Sequence, residues 1–136
     1  MQFEDFRVPV KLKLSALWAS LMSCYIYADY FGLFRPGKLT DMNRGIVHPF
    51  GQGTPLILFG VSVMMVVPSL MIAAPLLVRP GVARWANLIL GPVYAMIIAL
   101  TMIGSPPYYL LFGTIEVMLG CLAALYAWTW PRGETA

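Results

Sequence analysis

Charge is scarce in this chain. Nine Lys and Arg with six Asp and Glu make up 11% of the 136 residues, against about 25% in a soluble domain. So few charges cannot cover a water-facing surface, and an ordinary soluble fold is excluded. The same balance makes no dense basic patch, which excludes a conventional nucleic-acid binder. Histidine occurs once, as His48, and cysteine twice, as Cys24 and Cys121. These form no metal-ligand pattern, and no CxxC, haem or flavin motif is found. No metal, no cofactor and no catalytic residue is therefore assigned, and the balance leans away from an enzyme. What is plentiful is apolar: 60% of the residues, with a mean hydropathy of +0.76, which excludes disorder.

The fold class read from this pattern is all-α, a bundle of four transmembrane helices in a single membrane domain over residues 1–136. A span needs roughly 20 apolar residues. Four stretches qualify, at about Leu14 to Phe34, Pro55 to Val78, Trp85 to Ile103 and Tyr108 to Trp130. Between them stand Arg35-Pro36-Gly37, Thr54-Pro55 (an N-cap followed by a first-turn proline), Arg79-Pro80-Gly81 and Gly104-Ser105-Pro106-Pro107. The run after Lys13 is too long for a signal segment and no small-x-small site follows it, so no cleaved leader is expected. Arg7, Lys11, Lys13, Arg79, Arg84 and Arg132 fall on one side of such a bundle, and Arg35, Lys38 and Arg44 on the other. Positive flanks stay inside, so both termini are expected in the cytoplasm. Trp18, Trp85, Trp128 and Trp130 read as an inner aromatic belt, and Tyr30, Phe31, Phe34, Tyr108 and Tyr109 as an outer one.

Two acids, Asp29 and Glu116, fall inside the spans, where lipid exposure is costly. At 1.5 Å per residue, Asp29 lies about 7 Å and Glu116 about 12 Å below the outer helix ends. On a helical wheel Ser15, Trp18, Met22, Tyr25 and Asp29 share one face. So do Tyr109, Phe112, Glu116, Gly120, Ala123 and Ala127. Asn87, Tyr94 and Thr101 recur every seven residues, as do Ser62 and Ser69. Each helix thus offers one polar stripe for the interior. The candidate intramembrane site is Tyr25, Asn87, Tyr94, Tyr109 and Glu116, with Asp29 above them. With no Lys or Arg at its depth, Glu116 is expected to be uncharged and to donate a hydrogen bond. Its acceptor would be a tyrosine oxygen or a carbonyl freed by Pro68. Pro68, Pro75 and Pro92 each remove a helical hydrogen bond. Cys24 and Cys121 read as small buried apolar residues. The outer loop, 35–54, is long enough to fold over the mouth of the bundle, and His48 reads as a loop residue.

The runs KLSALW (Lys13 to Trp18), YIYADYFGLF (Tyr25 to Phe34), RWAN (Arg84 to Asn87), Tyr108-Tyr109 with Phe112 and Glu116, and YAWTW (Tyr126 to Trp130) resemble a family of small bacterial four-helix membrane proteins. That family is broadly similar to DoxX-like proteins. The resemblance implies a four-helix fold in the bacterial cytoplasmic (inner) membrane and no established activity. One departure stands ahead of Pro68, where the pattern leads one to expect a polar or acidic residue and this chain has Val66 and Val67. Three function classes stay open. The first is a structural or accessory subunit that associates with itself or a larger membrane complex. The second is a carrier or binder of a proton or small apolar molecule at the Glu/Tyr/Asp cluster. The third, a quinone-linked oxidoreductase, ranks last for want of a motif. The lipid bilayer is the one partner common to all. A closed, dry bundle would favour the first class, and a lined cavity at Glu116 the second.

Overall fold

The computed structural model describes residues 5–132. Its elements in chain order are α1 (Val10–Gly32), α2 (Lys38–Asn43), β1 (Ile46–Val47), β2 (Gly51–Gln52), α3 (Pro55–Leu77), α4 (Pro80–Thr101) and α5 (Pro107–Trp128). Three of the long helices, α3, α4 and α5, are long and apolar enough to cross a membrane. The fourth, α1, has 23 residues and carries Lys11, Lys13 and Asp29 near its ends.

Local chemistry sets most boundaries. The Thr54 hydroxyl accepts from the Ile57 N–H at 3.3 Å, and Pro55 follows at the first helical position. Pro80 and Pro107 open their helices in the same way, after the extended residues Arg79 and Pro106. The Arg79-Pro80-Gly81 run therefore starts α4 as well as ending α3. The helix begins five residues before the expected Trp85, and Arg84 belongs to it. Gly104, at φ 74°, makes the left-handed turn after α4 that a residue with a Cβ resists.

Helix α1 packs between α3 and α5, α5 packs along α4, and α3 barely meets α4. The α4–α5 crossing is close because it is built on glycine. A Cβ on Gly91 would stand 2.7 Å from the Gly120 carbonyl oxygen, and one on Gly120 would stand 2.9 Å from that of Gly91. Near this level Trp18, Leu21, Met71 and Tyr94 form the buried core, with Trp18 edge-on to Tyr94 at 6.0 Å between centroids. The indole Nε1 donates to Asn87 Oδ1 at 2.7 Å, and Asn87 Nδ2 donates to the Ala83 carbonyl at 2.8 Å.

One end of the bundle gathers the start of α1, the end of α3, the start of α4 and the end of α5. Lys11 Nζ donates to the Val78 carbonyl at 2.7 Å, and Arg84 Nε to the Ala127 carbonyl at 3.0 Å. Each cation thus satisfies a free carbonyl at a negative helix terminus on a neighbouring element. Lys13 sits 5.0 Å over the Tyr126 ring. At the opposite end the 35–54 segment folds into α2 and an antiparallel two-stranded hairpin pairing Ile46 with Gln52 and Val47 with Gly51.

Several sequence expectations change here. Trp18 is 1% exposed and belongs to the core, not to an interfacial belt. The buried seam of α1 is Leu14, Trp18, Leu21, Ala28 and Gly32, rotated from the expected line. Asp29 consequently sits at its exposed edge. Ser62 and Ser69 point outward and donate to the carbonyls of Leu58 and Met65 in their own helix. The inward face of α3 is instead Pro68, Met71 and Pro75. Buried proline removes the cost of an unpaired N–H, and serine on an outer apolar face is tolerated once its proton is bonded to the backbone. Cys121 is exposed and Cys24 half-buried, and neither is in a disulfide.

Candidate functional site

Helix α5 turns Gly113, Glu116, Gly120, Ala123 and Ala127 inward at alternating spacings of three and four. Its small residues let α1 and α4 close in, and the one large member of the seam, Glu116, is left 2% exposed. Its Oε1 has no hydrogen-bond partner among the described residues. A buried, unpaired polar atom is rare in a folded protein and costs free energy in proportion to its charge.

The carboxyl of Glu116 faces a cavity of about 80 Å³ that Tyr25, Asp29, Tyr94 and Tyr109 also line. Met64 and Met65 from α3 and Ile97 and Ile98 from α4 supply the apolar wall. It lies where α3 and α4 part. Three hydroxyl protons around it are committed to other acceptors. Tyr94 OH donates to the Met64 carbonyl at 2.7 Å. That oxygen would pair with the N–H of residue 68 in an unbroken helix, but Pro68 has none. Thr101 Oγ1 donates to the Ile98 carbonyl at 2.7 Å, and Tyr109 OH donates to Thr101 Oγ1 at 2.9 Å. The carbonyl freed by Pro68 therefore goes to Tyr94, and the hydrogen bond expected from Glu116 is not made.

Above this chamber lies a wider vestibule of about 530 Å³. Ala28, Asp29, Thr101 and Tyr109 line both spaces and form the neck between them. Arg35, Lys38 and His48 line the vestibule but not the inner chamber. His48 Nε2 is 3.0 Å from Asp41 Oδ2, an exposed pair that fastens the loop to α2.

Five of the six residues named from sequence, Tyr25, Asp29, Tyr94, Tyr109 and Glu116, meet at the inner cavity. Asn87 does not: it is 0% exposed and bonded to Trp18, about 10 Å along α4 from Tyr94. The wheel gives a face but not a depth of use. The carbonyl freed by Pro68, that of Met64, is legible in the sequence as an acceptor, but its donor is Tyr94 and not Glu116. The loop length places Arg35 and Lys38 near the bundle mouth, but no periodicity links a loop residue to a particular cavity.

Over residues 1–136 the chain matches the model of the Family of unknown function (DUF6326), and it belongs to that family. No curated protein and no solved structure matches it.

Proposed function

We propose that this member of a family without an assigned activity is a four-span membrane protein that binds a small hydrogen-bonding ligand beside Glu116. The ligand would enter through the vestibule beneath the 35–54 loop. The observation that carries this reading is the unpartnered Oε1 of a 2%-exposed glutamate facing a lined cavity. A subunit that needed only to knit helices would be served by a hydroxyl or amide, without the cost of a buried acid.

The fourth span is α1. Its 23 residues extend about 34 Å, enough for a hydrocarbon layer of roughly 30 Å. It packs between α3 and α5, so a bilayer that takes those two must take α1 with them. Its lysines sit at one end, tied to the Val78 carbonyl and the Tyr126 ring, and Asp29 opens to the vestibule at the other. We place this broadly DoxX-like bundle in the bacterial cytoplasmic membrane with both termini in the cytoplasm, on the strength of its cation distribution.

Accessibility of Ala28 tests the binding reading. Ala28 is 4% exposed yet lines both spaces. In a background with Cys24 and Cys121 replaced by Ser, Ala28→Cys should react with a small membrane-impermeant thiol reagent added from outside. Cysteine at the lipid-facing Ile89 should not. An unreactive Ala28→Cys in folded protein would overturn the reading.

A further inference from the structure

The inner cavity has acceptors on its wall and few free donors. Glu116 Oε1 is open, the Tyr94, Thr101 and Tyr109 protons all point elsewhere, and the Tyr25 hydroxyl is the one uncommitted phenol donor among the described lining residues. The lone pairs of the Tyr94 and Tyr109 oxygens remain available. The charged residues of its lining are acids alone, Asp29 and Glu116, while Arg35 and Lys38 stay in the vestibule. Arg35 is exposed and screened within about 8 Å at physiological salt, and the half-buried Lys38 acts on Asp29, the outer acid, which leaves Glu116 without a cation. A ligand that completes this site brings its own donors and a positive charge.

Size and wall chemistry narrow the class. By the same measure one water needs roughly 10–15 Å³, so 80 Å³ takes several waters or one molecule of a few heavy atoms. A divalent metal is a poor match: no three His, Cys, Asp or Glu among the described residues stand close enough to hold one, and hard cations take six or more oxygens. An alkali ion likewise prefers oxygen on all sides, whereas much of this wall is Met64, Met65, Ile97 and Ile98. Directional N–H donors on a carbon-bearing cation suit both halves. As such a cation enters, the Glu116 carboxyl gives up its proton to water; the ligand's donors would then reach the carboxylate in charge-assisted bonds, and the alkyl part would meet thioether, aliphatic and aromatic faces.

We propose that the orphan Glu116 carboxyl and the acceptor-rich, partly apolar chamber around it form a binding site for a small primary ammonium cation, of the size of methylammonium. This rests on the binding reading above and names its ligand class.

The test is calorimetric titration of the full chain in lipid nanodiscs with methylammonium chloride. Sodium, potassium and tetramethylammonium chloride at equal ionic strength are the comparisons. Saturable binding of methylammonium is expected, at least tenfold tighter than any of the three. Glu116→Gln should weaken it at least tenfold. Ile97→Phe, which fills the chamber while keeping the acid, should weaken it as much, so the conclusion survives if one variant fails to fold. No saturable methylammonium binding by the native chain, equal binding of sodium, or undiminished binding by both folded variants would each overturn the assignment. So would heat that tracks only buffer protonation, the mark of a site that takes a proton alone. If Ala28→Cys is labelled while methylammonium does not bind, the ligand class fails and the pocket reading stands. If Ala28→Cys is not labelled, the pocket reading fails by itself.

Discussion

Asn87 spends both ends of its amide inside the bundle, accepting from Trp18 and donating to Ala83. Membrane hydrogen bonds average only about 0.6 kcal/mol, because the unfolded chain in lipid also finds partners. Here both side chains are nearly inaccessible, at 0% and 1% exposure, so no lipid headgroup or water can replace the lost acceptor. The desolvation cost of a stranded donor then decides the outcome. Asn87→Leu is expected to destabilise the protein by about 1–2 kcal/mol in a mixed-detergent unfolding titration. In a double-mutant cycle most of that loss should vanish when Trp18 is already Phe. An additive cycle would mean that the 2.7 Å contact contributes nothing. Tyr94 and Pro68 form a second couple of this kind. With Pro68→Ala the new N–H can take the Met64 carbonyl and leave the tyrosine proton free. Tyr94→Phe should therefore cost roughly 1 kcal/mol in the native chain and little in Pro68→Ala.

The crossing of α4 over α5 depends on two missing side chains. A Cβ on Gly120 would meet the Gly91 carbonyl at 2.9 Å, and backbone cannot swing aside as a flexible side chain can. Gly120→Val should push the helices apart, lower the thermal midpoint in detergent by several degrees and open the wall beside Glu116. Gly60 supplies the control. Nothing lies within 4 Å of its missing Cβ, so Gly60→Ala should be neutral or stabilising, by up to about 1 kcal/mol of helix propensity. If the two substitutions behaved alike, close approach would not be the reason for glycine at 120. The long helices were legible because hydropathy and proline punctuation agree over twenty residues. The start of α4 was misplaced because Pro-Gly reads equally as a stop and as a first turn. Helix α2 has six residues and each hairpin strand two, too short for any periodicity to register. The rotation of the α1 seam was lost for another reason. A wheel that turns polar residues inward misplaces it, because the structure buries Leu14, Leu21 and Ala28 and leaves Asp29 at the rim.

Viewed whole, the bundle has a positive end and an opposite end that carries the vestibule, and the cations on which the proposed orientation rests also take part in folding. Lys11, Lys13 and Arg84 are among the six basic residues of the flank proposed to lie inside, and all three are engaged: on the Val78 carbonyl, the Tyr126 ring and the Ala127 carbonyl. Long basic side chains at a membrane interface keep their charge in the headgroup region while their stems cover apolar surface. Tethering them to helix C-termini adds an interaction with the negative end of each dipole, typically 0.3–1 kcal/mol at an exposed site. Topology and stability are thus linked through shared residues. The double replacement Lys11→Met and Arg84→Met removes two orienting charges and two carbonyl partners at once. It leaves four basic residues on that flank against three on the other, close to the balance at which orientation becomes ambiguous. Paired C-terminal fusions give the measurement. In the native chain a cytoplasm-active fluorescent reporter should light and a periplasm-active phosphatase should stay silent. In the double variant both reporters should give signal, and the purified protein should unfold at a lower temperature. Replacing only Arg132, which has no partner among the described residues, with Met should leave orientation and midpoint close to native, because no described helix terminus loses its partner. A native chain whose C-terminal phosphatase is active and whose fluorescent fusion is dark would reverse the assigned orientation and turn the vestibule toward the cytoplasm.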